Sequence, residues 1–234
     1  MFLQPYFNES DQGAVISAEQ ASRFAKDVAQ DFNPIHDPES KRFCVPGDLL
    51  FAMTLMKFGL SEQMEIQFQG MVGKETNLLF PDAFESSFEL KDDKDKTYLS
   101  AQRSGETNTD AAVIERFIRH YVSFSGHNFT DVVLPLMKRH EVMVNPARPL
   151  VIYDSMGFEF DTLNLVAPKL ELIDTQLDIN GKRGDATLLF AIVDQGKPVG
   201  KGKKTLVLSG LRPLCNDAIE QMCQEYALRQ QQLS

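Results

Sequence analysis

The 234-residue sequence predicts an α+β protein in which one order occurs twice, an apolar helix followed by a run of antiparallel strands. Three observations carry this. The segment DLLFAMTLMKFGLSEQ is rich in Leu, Met and Phe on more than one face, as a helix enclosed by other structure must be. From Met64 the texture changes to β-branched and aromatic runs with partial alternation, broken by turn-forming stretches. From FTDVVLPLMKRH onward the same order returns.

The elements follow in chain order. In ISAEQASRFAKDVAQDF, Ser17 and Gln20 have capping-box spacing, and Phe24, Val28 and Phe32 recur at helical intervals, which predicts a helix over Ala18–Gln30. Pro34 disfavours helical geometry at Asn33, so the chain leaves the helix there. The enclosed helix follows KRFCVPG, and then MEIQFQGMV, SSFELKD, TYLSAQRSG and AVIERFIRHYVSF read as strands, with KDDKDK a solvated turn. FTDVVLPLMKRH reads as a second helix interrupted by Pro135, and LVIYDSMGFEFD, KLELIDTQLDI, ATLLFAIVD and KTLVLSG as four more strands. Asn180-Gly181 and DQGKPVG supply tight turns. The tail DAIEQMCQEYALRQQQLS has helical spacing and predicts an outer terminal helix with a frayed, glutamine-rich end. No linker composition separates the halves, so residues 1–126 and 127–234 are expected to pack closely.

Composition narrows the function. The net charge of −9 disfavours a general attraction to nucleic acid or anionic lipid. No apolar run approaches the roughly 20 residues that span a bilayer, so no membrane partner is expected. The three cysteines contain no CxxC pair, and the N-terminal residues lack the pattern of a signal peptide. A cytoplasmic, disulfide-free protein is the expectation. His120, His127 and His140 lack metal-ligand spacing, so neither a metal nor another bound cofactor is expected.

DFNPIHD, residues 31–37, places an acid, an amide and an imidazole around a proline. Each residue alone is compatible with an ordinary helix-ending turn. Cys44, eight residues beyond His36, reads as a small buried residue rather than a nucleophile. GKPVGKGKK lacks the order of a phosphate loop and reads as an exposed hairpin whose lysines blunt a strand edge, with the phosphates of coenzyme A or an acidic carrier protein as the sharper alternative.

The string FAKDVAQDFNPIHDPES, followed by VPG and an apolar helix, resembles the signature of the MaoC-like, (R)-specific enoyl-CoA hydratases of the hot-dog superfamily. The chain as a whole is also similar to a group of proteobacterial proteins that share this start and have no assigned activity. The resemblance implies a curved antiparallel sheet wrapped around one long helix, and two such halves imply a double hot dog. It implies catalytic roles for Asp31 and His36, a loop-bracing role for Asn33, and a thioester-oxygen donor at the backbone of Gly47. It further implies an acyl-thioester substrate on coenzyme A or an acyl carrier protein, with a homodimer among the allowed assemblies. The motif departs from the family in two places. Gln30 stands where the family has glycine, and Pro46-Gly47-Asp48 stands where it has His-Gly, with a carboxylate at Asp48 that opposes an enolate formed beside it. Only the first half carries the motif.

The leading expectation is therefore reversible hydration of a 2-enoyl thioester. Asp31 and His36 would share one water, one group taking a proton as water attacks the β-carbon while the other supplies the α-carbon. Two alternatives stand beside it: a non-catalytic acyl-thioester-binding or regulatory protein, and a thioesterase of the same fold.

Overall fold

The computed structural model describes residues 2–10 and 13–233. Strands β1 (Asn8–Ser10) and β2 (Gly13–Val15) precede α1 (Ala18–Phe24). Ser17 caps α1 in a reciprocal box, its Oγ accepting from the Gln20 amide at 3.2 Å while the Gln20 side chain accepts from the Ser17 amide at 3.0 Å. The helix continues as a π-helical turn over Ala25–Ala29 and ends at Gln30, which is left-handed at φ 55°. The glycine that the hydratase signature carries at this position would adopt that conformation without strain; here Gln30 bears it.

Helix α2 (Gly47–Phe58) has every residue from Asp48 to Leu55 buried, as its all-round apolar sequence predicts. Around it the sheet adds β3 (Leu60–Phe68), β4 (Asn77–Leu79), β5 (Ser87–Asp92) and β6 (Thr97–Asn108), in the spatial order β2-β4-β5-β6-β3. Leu50, Phe51 and Leu55 share one core cluster with Ile66, Leu78 and Leu99 from this sheet.

AVIERFIRHYVSF, expected as a strand, is instead most of α3 (Ala111–Gly126). Asp110 caps it, its carboxylate accepting from the amides of Ala112 and Val113. Val113, Ile114, Phe117, Ile118, Tyr121 and Val122 repeat at three- and four-residue spacing, so the 3.6 period outweighs the β-branched and aromatic composition. A second π-helical turn, Phe129–Val133, runs directly into α4 (Leu134–Arg139), with Pro135 near the join. Residue 127, where the sequence is divided above, lies inside this helical run.

Strand β7 (Val142–Met143) is followed by β8 (Val151–Phe160), β9 (Pro168–Asn180), β10 (Arg183–Asp194), β11 (Lys197–Ser209), β12 (Arg212–Pro213) and α5 (Asn216–Leu233). The second half of the large sheet runs β8-β11-β10-β9, antiparallel throughout. The halves join where β3 pairs with β8, from Gln63↔Glu159 to Gln67↔Ser155, giving one ten-stranded sheet. A helix enclosed by a helix-then-meander sheet, twice over and joined edge to edge, is the double hot-dog architecture. Phe158, Phe160 and Phe190 of the second half enter the same core as α2, while Val133, Leu136 and Met137 build a second core with Leu188 and Leu208. No helix among the described residues is long and apolar enough to cross a membrane.

Candidate functional site

Local chain chemistry shapes the DFNPIHD turn. Asp31 Oδ1 accepts from the Asn33 amide at 2.9 Å, and Asn33 Oδ1 accepts from the Ile35 amide at 3.1 Å, so each short polar side chain closes a turn on the backbone two residues ahead. Pro34, Ile35 and His36 form a short 3₁₀ turn capped by Asn33. His36 Nδ1 lies 2.7 Å from the Cys44 carbonyl oxygen, which fixes Nδ1 as the donor and turns Nε2 toward Asp31, with Nε2 to Oδ2 at 3.5 Å. The turn thus brings Asp31 and His36 together.

Contacts from distant parts of the chain hold it there. Gly126 of α3 lies against the backbone of Ala29 and the amide of Asp31. Asp37 is buried and pairs with Lys26 at 2.9 Å and with Arg229 of α5, while Arg229 Nε donates to the Phe32 carbonyl at 2.9 Å. The Phe32 amide donates to the Tyr226 hydroxyl at 3.3 Å. Tyr226 and Arg229 of α5 thus clamp the motif, and the glutamine-rich end beyond them, expected to fray, is helical through Leu233.

The pair opens on a cavity of about 360 Å³ lined from both halves. Its walls include Leu50, Phe68, Val72, Val151, Ile152 and Leu206. Asn33 and Gly47 also line it, so all four sequence-predicted residues meet at one cavity. Gly47 opens α2 where a Cβ would stand 3.2 Å from the Phe68 ring and 3.3 Å from that of Tyr153, so a side chain there would press both rings back by a few tenths of an ångström.

A second polar group borders the cavity, and only part of it was visible in the sequence. Asp48 is 8% exposed; its Oδ2 accepts from Ser125 Oγ at 2.6 Å. Lys204 Nζ donates to the same Ser125 oxygen and lies 3.8 Å from the Tyr153 ring centroid. Tyr121 and Tyr153 join their hydroxyls beside it. Lys204 is 2% exposed and β11 is an interior strand, which corrects the reading of GKPVGKGKK as an exposed edge for that residue. The signal was present in the alternation, because Lys204 shares its parity with the buried Leu206 and Leu208. Ser125 and Asn128 had no such signal. Among the described residues, the buried side-chain atoms with no hydrogen-bond partner in the protein are Asp48 Oδ1 and Asn128 Nδ2, both from residues lining this cavity.

The electrostatics follow from burial and neighbours. Burial acts most strongly on His36 and pulls its pKa down, but the hydrogen bond and charge of Asp31, the Cys44 carbonyl and the Asp48 charge outweigh it, and the net position is above the ordinary histidine value. Burial raises Asp48 against the opposing Lys204 charge and Ser125 hydrogen bond. Burial brings Lys204 down to about 8, with Asp48 and Asp31 acting the other way. Burial pushes the Cys44 thiol up to about 11, so it is no thiolate nucleophile near neutrality. No cluster of His, Cys, Asp and Glu among the described residues is arranged to hold a metal ion.

Fold and site together define a double hot-dog protein with a carboxylate–imidazole pair at the polar end of an apolar cavity. The chain belongs to the family described as "Protein of unknown function (DUF3581)", whose family model matches residues 1–217. No curated protein matches the sequence. Similar solved structures include the tesB protein of Mycobacterium avium subs paratuberculosis, at 7% identity and TM-score 0.40 over 72% of this chain and 89% of that one. The acyl-CoA thioesterase II TesB2 from Mycobacterium marinum is similar at 9% identity and TM-score 0.41, over 73% and 90%. An acyl-ACP thioesterase from Bacteroides thetaiotaomicron is similar at 8% identity and TM-score 0.37, over 71% and 92%. Likeness at this level bears on neither reaction nor substrate, and the fold assignment rests on strand order.

Proposed function

We propose that this protein is an enzyme that adds water to an acyl thioester in the cavity between its halves, with hydrolysis of the thioester as its reaction. The observation that carries the reading is the meeting of Asp31 and His36, 3.5 Å apart, at the polar end of an apolar cavity. Such a cavity suits a chain of methylenes with one reactive head group. The resemblance of DFNPIHD to the hydratase signature supplies the thioester as that head group.

A proton donor placed for a leaving sulfur is what favours hydrolysis over hydration. Hydration places negative charge on the thioester oxygen as an enolate until the α-carbon is protonated. With Gly47 as the oxygen's donor, that enolate forms beside the buried Asp48 carboxylate at the head of α2, which offsets the positive end of the helix. Hydrolysis also charges that oxygen, in its tetrahedral intermediate, but passes the charge on to a departing thiolate, a weak base whose conjugate acid has a pKa of about 8.5. His36, held toward its imidazolium form by Asp31, is placed to protonate that sulfur. Hydration of a 2-enoyl thioester is the second reading, favoured by the spacing of Asp31 and His36 within the motif.

The two reactions separate cleanly in one assay set: free thiol released from saturated acyl-CoA, and loss of enoyl absorbance from 2-enoyl-CoA without thiol release. The expected result is thiol release that falls by about 10²–10⁴-fold in Asp31→Asn and His36→Ala, the usual contribution of a positioned proton-transfer group. Undiminished turnover in both variants defeats the proposal.

A further inference from the structure

We propose that Asp48 and Asn128 complete the catalytic site, Asp48 Oδ1 taking the proton of the attacking water and Asn128 Nδ2 donating to the thioester carbonyl oxygen. This rests on the hydrolytic reading above and deepens it. Buried polar groups are ordinarily paired, and an unpaired one persists where a ligand supplies the missing partner. Here two such atoms belong to residues that line one cavity, one atom an acceptor and the other a donor. They are the complement of a water that donates and a carbonyl that accepts.

The surroundings assign the roles. Ser125 Oγ holds Asp48 Oδ2 at 2.6 Å, so the carboxylate is fixed in orientation with Oδ1 left unpaired. Lys204 is committed to Ser125 and lies over the Tyr153 ring, so it holds the carboxylate's charge in place and is not itself the base. Ser125, in the last turn of α3, and Asn128, two residues past its end, line the same cavity as Gly47 and Asp48 at the start of α2. Asp48 meets the charges of Lys204, His36 and Asp31, and the Tyr121 and Tyr153 hydroxyls feel its charge in turn. Burial raises its pKa, in the direction that makes a carboxylate a competent base near neutrality.

The step balances. One proton of the water passes to Asp48 Oδ1 as the water oxygen forms a bond to the thioester carbon, and the carbonyl π pair moves onto its oxygen, held by Asn128 Nδ2. The oxyanion re-forms its double bond, the C–S bond breaks with its electron pair on sulfur, and His36 supplies the proton. Products are the free acid and the thiol, and the proton on Asp48 restores the one that His36 has given.

The test measures kcat and KM for thiol release from acyl-CoA, with melting temperature, in Asn128→Leu, Asp48→Asn and Asp48→Asn/Lys204→Met. The double variant is included because Asp48→Asn alone strips the buried Lys204 of its counter-charge. Expected are a kcat loss of about 10²–10³-fold in Asn128→Leu, the usual effect of removing one oxyanion donor, and of about 10²–10⁴-fold in both Asp48 variants, as for other bases. KM changes little, and Asn128→Leu melts no lower than the parent, because it removes an unpartnered amide. Several outcomes overturn the proposal. If Asn128→Leu and the double variant keep kcat within a few-fold of the parent while Asp31→Asn loses it, this inference fails and the hydrolytic reading stands. If Asn128→Leu loses kcat and melting temperature together, Asn128 is structural and the oxyanion role fails. If the parent protein releases no thiol from any acyl-CoA, the hydrolytic reading fails and takes this inference with it.

Discussion

Gly126→Ala gives the sharpest test of how the site is held. On an ordinary helix this change stabilises by about 0.5–1 kcal/mol, because alanine gives up less chain entropy than glycine. Here the sign reverses. A Cβ on Gly126 would stand 1.8 Å from the Ala29 carbonyl oxygen, 2.7 Å from its carbon and 3.3 Å from the Asp31 amide nitrogen. None of these is the far end of a flexible side chain. Ala29 is 1% exposed, and the Asp31 amide donates to the Ala25 carbonyl at 2.8 Å, so α3 and the motif backbone must separate by roughly 1 Å in a close-packed interior. Overpacking of this kind costs about 1–3 kcal/mol. At roughly 2–4 °C per kcal/mol for a chain of this size, the melting temperature falls by about 2–12 °C. Because the displaced backbone carries Asp31, a misplacement of about 1 Å costs on the order of 10²-fold in turnover as well, more than the stability loss alone explains. Differential scanning calorimetry and thiol release on the purified variant measure both. A Gly126→Ala protein with parental melting temperature and turnover would refute the claim that this contact positions Asp31.

Two further predictions concern charge. The His36 imidazole, followed by NMR, titrates above the ordinary histidine value and moves down in Asp31→Asn, where burial is opposed only by Cys44 and Asp48; an unmoved titration would sink the ion-pair assignment. The folded protein binds that proton more tightly than the unfolded chain, so His36 contributes stability that is fully present below about pH 6.5 and lost as pH rises through the folded value. In parent protein this loss appears in urea unfolding above that pH, and in His36→Ala it is absent. Arg229→Ala leaves the Phe32 carbonyl without its donor and the buried Asp37 with Lys26 alone, and lowers stability by about 1–3 kcal/mol in the same unfolding assay. An unchanged midpoint would mean that α5 does not clamp the motif.

What the sequence determined is what short range encodes. The capping box at Ser17, the all-round apolar α2, the turn at Asn33-Pro34 and the nearness of Asp31 to His36 depend on residues within a few positions of one another, and were legible there. In AVIERFIRHYVSF residue type favours a strand, while the spacing that makes it a helix only has meaning once one face has a core to meet. Tertiary structure alone decided which charges are taken out of water. Lys204, Ser125 and Asp48 are far apart in the chain, and Arg229 lies almost two hundred residues from the carbonyl it holds. Alternation places Lys204 on the same face of β11 as Leu206 and Leu208, but only the strands on either side of β11 make that face an interior one. The same packing leaves Asp48 Oδ1 and Asn128 Nδ2, of two cavity-lining residues, buried without partners, a property of neighbours brought together by the fold.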